Sequence, residues 1–212
     1  MSHDTAFDAG ERAVIVEERD SLVVIRLNRP ATRNSLSLAV LGELNSLMSA
    51  LIVRPDLYAI IFTGTGDVFA SGADLNELRE LTPASAKDFA RFGQSLMQKI
   101  DDAPQLTVAA VNGYCMGGGL DLALACDVRV ASPNAVFAHP GVQLGIITGW
   151  GGTQRLPRLI GTARALEMFI LARRLNAQEA YAIGLVNRVA EAGIEAAGEI
   201  IDALSRSSSR AS

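Results

Sequence analysis

The chain reads as an α/β protein on two observations. Apolar strand-like runs alternate with helical patterns along its 212 residues. Two glycine-marked strand-to-helix junctions of one kind, Ser71–Asp74 and Gly117–Leu120, point to successive turns of a ββα unit. With 49% hydrophobic residues and a mean hydropathy of +0.24, one domain with a substantial core is expected.

Val14–Glu17 and Leu22–Asn28 flank a polar turn and predict a β-hairpin, closed by Pro30, which removes a ladder donor. Ser37 caps a helix to about Val53, with Leu38, Leu41, Leu44, Met48 and Leu51 at helical spacing. Tyr58–Thr63 is an apolar strand, followed by the glycine-marked run Gly64–Leu75. Asp74 opens a short helix to about Leu81; Thr82-Pro83 restarts one to about Ile100, with proline in its first turn. Leu106–Val111 is a buried strand, and Leu120–Cys126 a buried helix. Asp127–Ala131 and Ala135–Ala138 are short strands, and 139–152 is too glycine-rich for regular structure. A helical stretch from Thr153 to about Arg174 is expected to break at Pro157 and Gly161. The helix Ala177–Ile183, the strand Leu185–Val189 and the helix Ala192–Leu204 complete the core; Ser205–Ser212 is low-complexity and expected to fray.

Composition excludes several classes. No apolar run is long enough to span a membrane, and Met1–Gly10 carries no secretory signature, so a cytoplasmic protein is expected. A net charge of −4 argues against general nucleic-acid binding. Two histidines and two cysteines without ligand spacing predict no metal site, and Cys115 and Cys126 no disulfide.

The chemistry centres on Gly117-Gly118-Gly119, between a strand and a helix. Glycines there leave no Cβ to hold a ligand away from the backbone, and the first N–H groups of the helix lack partners at the positive end of its dipole. The triplet admits two readings: a seat for negative charge, or close helix–strand packing. It matches neither the dinucleotide fingerprint nor a P-loop.

Five ordered segments then resemble one family. They are Asn28-Arg29-Pro30 with Asn34-Ser35-Leu36; Phe69-Ala70-Ser71-Gly72-Ala73-Asp74-Leu75; Ala110 through Gly119; Gly151-Gly152-Thr153-Gln154-Arg155-Leu156-Pro157; and Ala177-Gln178-Glu179-Ala180 with Gly184-Leu185-Val186. Together they are similar to the enoyl-CoA hydratase/isomerase (crotonase) superfamily. The resemblance implies a crotonase-like spiral of ββα units over 13–190, after a flexible tail at 1–12 and before a truncated C-terminal helix and frayed tail at 191–212. It implies an acyl-CoA thioester substrate, no separate cofactor, and a homotrimer or dimer of trimers. The thioester oxygen would be held by the N–H groups of Ala73 and Gly118. Arg33, Ser35, Leu36, Ser71, Asp74, Leu75, Tyr114, Gly117, Pro140 and Gly141 would lie along the substrate, with Arg33 or arginines near Arg155 meeting CoA phosphates.

Hydratases of the family carry two glutamates. Here the first place holds Asp121 and the second Gly141, so one carboxylate is shortened and the other missing. Family dienoyl-CoA isomerases, dihydroxynaphthoyl-CoA synthases and decarboxylases also depart from the glutamate pair, so hydration, isomerisation and decarboxylation stay open, as does thioester binding without turnover. Asp121 is the acid/base candidate, or else a helix-N-terminal acid offsetting the dipole. His139 stands two residues before Gly141 as a second proton carrier, or as a structural histidine. Asp74 also fits an N-cap, Trp150 either a pocket wall or a packing residue, and Cys115 a nucleophile without an evident base. Gly141→Glu is expected to restore crotonyl-CoA hydration if the pocket is otherwise intact.

Overall fold

The computed structural model describes residues 12–191 and 193–208. Ten strands form two sheets. The larger, in order, is β1 (Val14–Arg19), β2 (Leu22–Leu27), β3 (Ala59–Gly64), β5 (Leu106–Val111), β7 (Val128–Ala131) and β10 (Arg188–Val189). The smaller is β4 (Val68–Ala70), β6 (Tyr114–Met116), β8 (Val136–Ala138) and β9 (Leu175–Asn176). Apart from the β1–β2 hairpin and the β8–β9 pair, neighbours run parallel.

Each turn of the chain gives one strand to each sheet and then a helix. β3 and β4 precede α2 (Leu75–Arg79) and α3 (Pro83–Asp101); β5 and β6 precede α4 (Gly118–Ala125); β7 and β8 precede α5 (Gly152–Ile160). This is the expected spiral of ββα units. The parallel strands carry no polar face because both sides are covered: every residue of β3 is buried. One side meets α1 (Leu38–Leu51), α3 and α4 through a core containing Leu41, Leu44, Phe62, Leu96 and Leu122. The other side of the larger sheet receives α8 (Gly193–Ser208), whose Ala196, Ala197 and Ile201 pack on Val24, Ile61, Val108 and Val130.

Several boundaries follow the expected caps. Ser37 Oγ accepts from Val40 N–H at the start of α1, Asp74 accepts from Asn76 N–H at α2, and Thr82 makes a capping box with Ser85 at α3. Others differ. The three-residue strands β4 and β6 lie within segments read only as glycine junctions, and β9 within a presumed loop; such strands are too short to show alternation. Pro140–Leu144 forms a 3-10 turn inside the stretch expected to be irregular. Pro157 does not break its helix: α5 runs through it to Ile160, and the break comes at Gly161, before α6 (Thr162–Leu171). In a helix of nine residues that proline removes a single internal bond, to the carbonyl four residues earlier. The last strand is only Arg188–Val189, preceded by α7 (Ala177–Ala182). Residues 205–208, expected to fray, continue α8; 1–11, 192 and 209–212 lie outside the described residues.

Candidate active site

A cavity of about 380 Å³ opens where the two glycine junctions meet. The junctions touch: a Cβ added at Gly72 would lie 3.0 Å from Met116 O and 3.2 Å from Gly118 N. Both turns use backbone conformations that favour glycine, with φ of +103° at Gly72 and +51° at Gly117. Ser71, Ala73, Leu75, Gly117, Gly118, Asp121, His139, Pro140 and Gly141 all line this cavity. Gly118 is the first residue of α4, so its N–H has no intrahelical acceptor. Ala73 sits in a parallel bridge with Leu36, in which Leu36 N–H donates to Gly72 O at 2.8 Å.

The remaining sequence candidates stand around the cavity rather than in it. Leu36 is fully buried in the core. Ser35 Oγ donates to Asp74 Oδ2 at 3.2 Å, while Asp74 caps α2; its carboxyl is held below the ordinary range, first by the Asn76 N–H and further by Ser35. The exposed Arg33 lies over the Tyr114 ring, 5.0 Å from its centroid. Cys115 is fully buried and burial pushes its thiol well up, which removes it as a nucleophile. Arg155 is paired with Asp101 at 3.0 Å.

The titratable groups at the cavity meet at one buried carboxyl. Asp121 is 1% exposed; Oδ2 accepts a hydrogen bond from Thr148 Oγ1, and Oδ1 accepts none of good geometry. Burial pushes its carboxyl up to about 7, against the Thr148 hydroxyl, the Trp150 backbone N–H, Arg155 and the Gly152 backbone N–H, which pull it down. His139 Nε2 lies 3.6 Å from Asp121 Oδ1, and neither imidazole nitrogen has a hydrogen-bond partner. Burial lowers His139 to about 4, so the ring is neutral at pH 7. Its face rests on Phe169 of α6, with ring centroids 5.0 Å apart. A carboxyl poised near neutrality, beside a neutral imidazole, can give or take a proton at physiological pH.

The rest of the wall is apolar. Trp150 is 3% exposed and stacks obliquely on Phe89, with centroids 5.4 Å apart. Its indole is seated between two glycines: a Cβ at Gly93 of α3 would overlap the pyrrole side of the ring, and one at Gly118 the benzene side. Trp150 is thus both wall and packing residue. Leu78, Leu81, Ile146 and Ile147 extend the apolar lining.

Three contributors escaped sequence reasoning. Thr148 and Gly152 belong to a glycine-rich run with no periodicity, and nothing local ties them to Asp121. Asn34, 1% exposed, donates to Thr65 O and Val68 O at 3.1 and 2.7 Å and accepts from Arg29 N, tying the loop after β2 to the turn before β4. The available signal was the asparagine itself, a residue that tolerates the left-handed region it occupies here at a φ of +52°.

Comparison with known proteins agrees with this architecture. Residues 17–209 match the family model for enoyl-CoA hydratase/isomerase. A crotonyl-CoA hydratase from Syntrophomonas wolfei is 41% identical over 179 residues, which are 84% of this chain and 69% of that protein. A short-chain-enoyl-CoA hydratase from Clostridium acetobutylicum is 38% identical over the same shares. The crystal structure of an enoyl-CoA hydratase from Bacillus anthracis superposes with a TM-score of 0.87 at 38% identity, covering 92% of this chain and 77% of that one. The chain belongs to the enoyl-CoA hydratase/isomerase family.

Proposed function

We propose that this chain is an enzyme that binds short-chain enoyl-CoA thioesters and hydrates them through an enolate held in an oxyanion hole. The observation that carries the reading is the shared cavity, which joins the Ala73 and Gly118 backbones to Asp121, the one buried carboxyl among the described residues. In this reading the thioester oxygen accepts from Ala73 N–H and Gly118 N–H, and charge developing on it meets donors that need no reorganisation. Removing one such donor typically costs about 10²–10³ in rate in other enzymes. Asp121 acts as base when ionised and as acid when protonated. A cavity of about 380 Å³ with apolar walls suits a small acyl group. The crotonyl- and short-chain-enoyl-CoA hydratases among its relatives support this substrate class.

The test is a panel of enoyl- and malonyl-type CoA thioesters with the purified chain. Turnover that is lost in Asp121→Ala, with thioester binding retained, supports the reading. Gly141, in the place of a second carboxylate, favours one alternative, a thioester-binding homologue without turnover. Binding of every thioester and conversion of none would establish that alternative.

A further inference from the structure

Among the described residues, five buried side-chain atoms lack a hydrogen-bond partner of good geometry, and three of them belong to one pair of residues: Asp121 Oδ1, His139 Nε2 and His139 Nδ1; the other two are Gln105 Oε1 and Ser132 Oγ. Asp121 Oδ1 and His139 Nε2 face each other at 3.6 Å, beyond a good direct hydrogen bond, and both residues border the cavity. Gly152 packs against this pair and brings no side chain to it. A Cβ there would overlap Asp121 Oδ1 and stand 3.0 Å from His139 Nε2. Bare polar atoms inside a protein call for a partner, and a polar space of this kind suits a water molecule.

We propose that Asp121 and His139 jointly seat the water that adds to the β carbon of an enoyl thioester, His139 acting where a second carboxylate is lacking. This rests on the thioester reading above. The water donates to Asp121 Oδ1 and accepts from the Nε2–H of the neutral imidazole. Its oxygen forms the C–O bond at the β carbon while its proton passes to the Asp121 carboxylate. The π pair of the double bond moves to the enolate, whose charge rests on the thioester oxygen. The enolate then takes that proton from Asp121 at the α carbon, so one water is consumed and the carboxylate is restored. Phe169 fixes the imidazole face, and Thr148 fixes the far oxygen of Asp121. The other charged or titratable groups acting on the carboxyl and its surroundings are Arg155 and the buried thiol of Cys115.

Two activities of the full chain separate this proposal from the one it rests on. Crotonyl-CoA hydration needs the seated water. Exchange of the α protons of butyryl-CoA in D₂O needs only the enolate site and Asp121. His139→Phe is expected to lower hydration kcat about a hundredfold, with KM and exchange within about twofold of wild type. His139→Gln, which returns an N–H donor, recovers at least about tenfold of that loss. His139→Leu, which removes both ring nitrogens with less bulk, gives the same contrast and serves if His139→Phe does not fold. Hydration within about threefold of wild type in His139→Phe or His139→Leu, with exchange intact, overturns the water seat and leaves the enolate reading standing. A wild-type chain that exchanges but does not hydrate overturns the seat and the hydration reading together and leaves the enolate site. One that does neither overturns both.

Discussion

Trp150 offers a prediction in which two effects of opposite sign compete. Replacing Gly93 by alanine in the middle of α3 removes a residue of poor helix propensity, a gain of about 1 kcal/mol. The new methyl, however, meets the pyrrole edge of Trp150, and the indole has nowhere to go, because the Gly118 backbone lies against its benzene ring. Overpacking of a well-filled core costs about 1–3 kcal/mol, and a ring confined on both sides belongs at the upper end. Gly93→Ala should therefore destabilise by about 2 kcal/mol. Trp150→Ala alone should cost about 3–5 kcal/mol, since the ring is 3% exposed. In that background the methyl at 93 enters vacated space, and Gly93→Ala should become stabilising by about 1 kcal/mol. The coupling is about 3 kcal/mol, large for a pair not hydrogen-bonded. Urea unfolding of the four proteins measures it. Far-UV circular dichroism is the probe, because Trp150 is the only tryptophan. An equal shift of the midpoint in both backgrounds, or a gain in the wild type, would refute the seating of the indole between two glycines.

Three further predictions concern the site and its supports. The Asp121 carboxyl rises from 3.8 to about 7 on folding, so between those values the folded state binds more protons than the unfolded one. Its contribution to stability is present below pH 3.8 and lost as pH rises to about 7. His139, lowered from 6.5 to about 4, acts oppositely: stability is lost as pH falls from 6.5 to about 4. The two nearly cancel over that window in the wild type, so Asp121→Asn should gain stability from pH 4 to 6.5 and His139→Gln should lose it, both read from urea midpoints against pH. Gly141→Glu should not simply restore a second carboxylate, because its Cβ would stand 2.7 Å from the Ile146 carbonyl; the expected result is a loss of about 1–3 kcal/mol in thermal melts and no rise in hydration rate. Asn34→Ala should cost about 3–4 kcal/mol, from three hydrogen bonds of about 1 kcal/mol each and a left-handed backbone that alanine tolerates poorly, measured by urea unfolding.

What could be read in advance depended on the range of the signal. The long apolar runs of β3 and β5 and the capped helices α1 and α3 announce themselves locally, through burial, spacing and an N-cap hydroxyl. Ala73, Gly118 and Asp121 were named as candidates because their segments carry family motifs, and they line one cavity, although composition gives no hint that the two turns touch. The environment of Asp121 was illegible for a different reason. Thr148, 27 residues away, and His139 reach it only through the folded 3-10 turn and the start of α5. The depth of burial that raises its carboxyl is likewise a property of the assembled core. The strands β4, β6 and β9 escaped because two or three residues cannot display a period; pairing with neighbours, not propensity, makes them strands.

β4 and β6 pair in parallel, Val68 with Tyr114 and Ala70 with Cys115, and Ala73 and Gly118 follow within three residues of their ends. The spacing at which the two turns leave the sheet is thereby set by main-chain pairing, with parallel neighbours about 4.8 Å apart. No side chain has to be chosen to preserve it. A side chain lining the cavity, such as that of His139, can then be exchanged while the two turns stay where the ladder puts them.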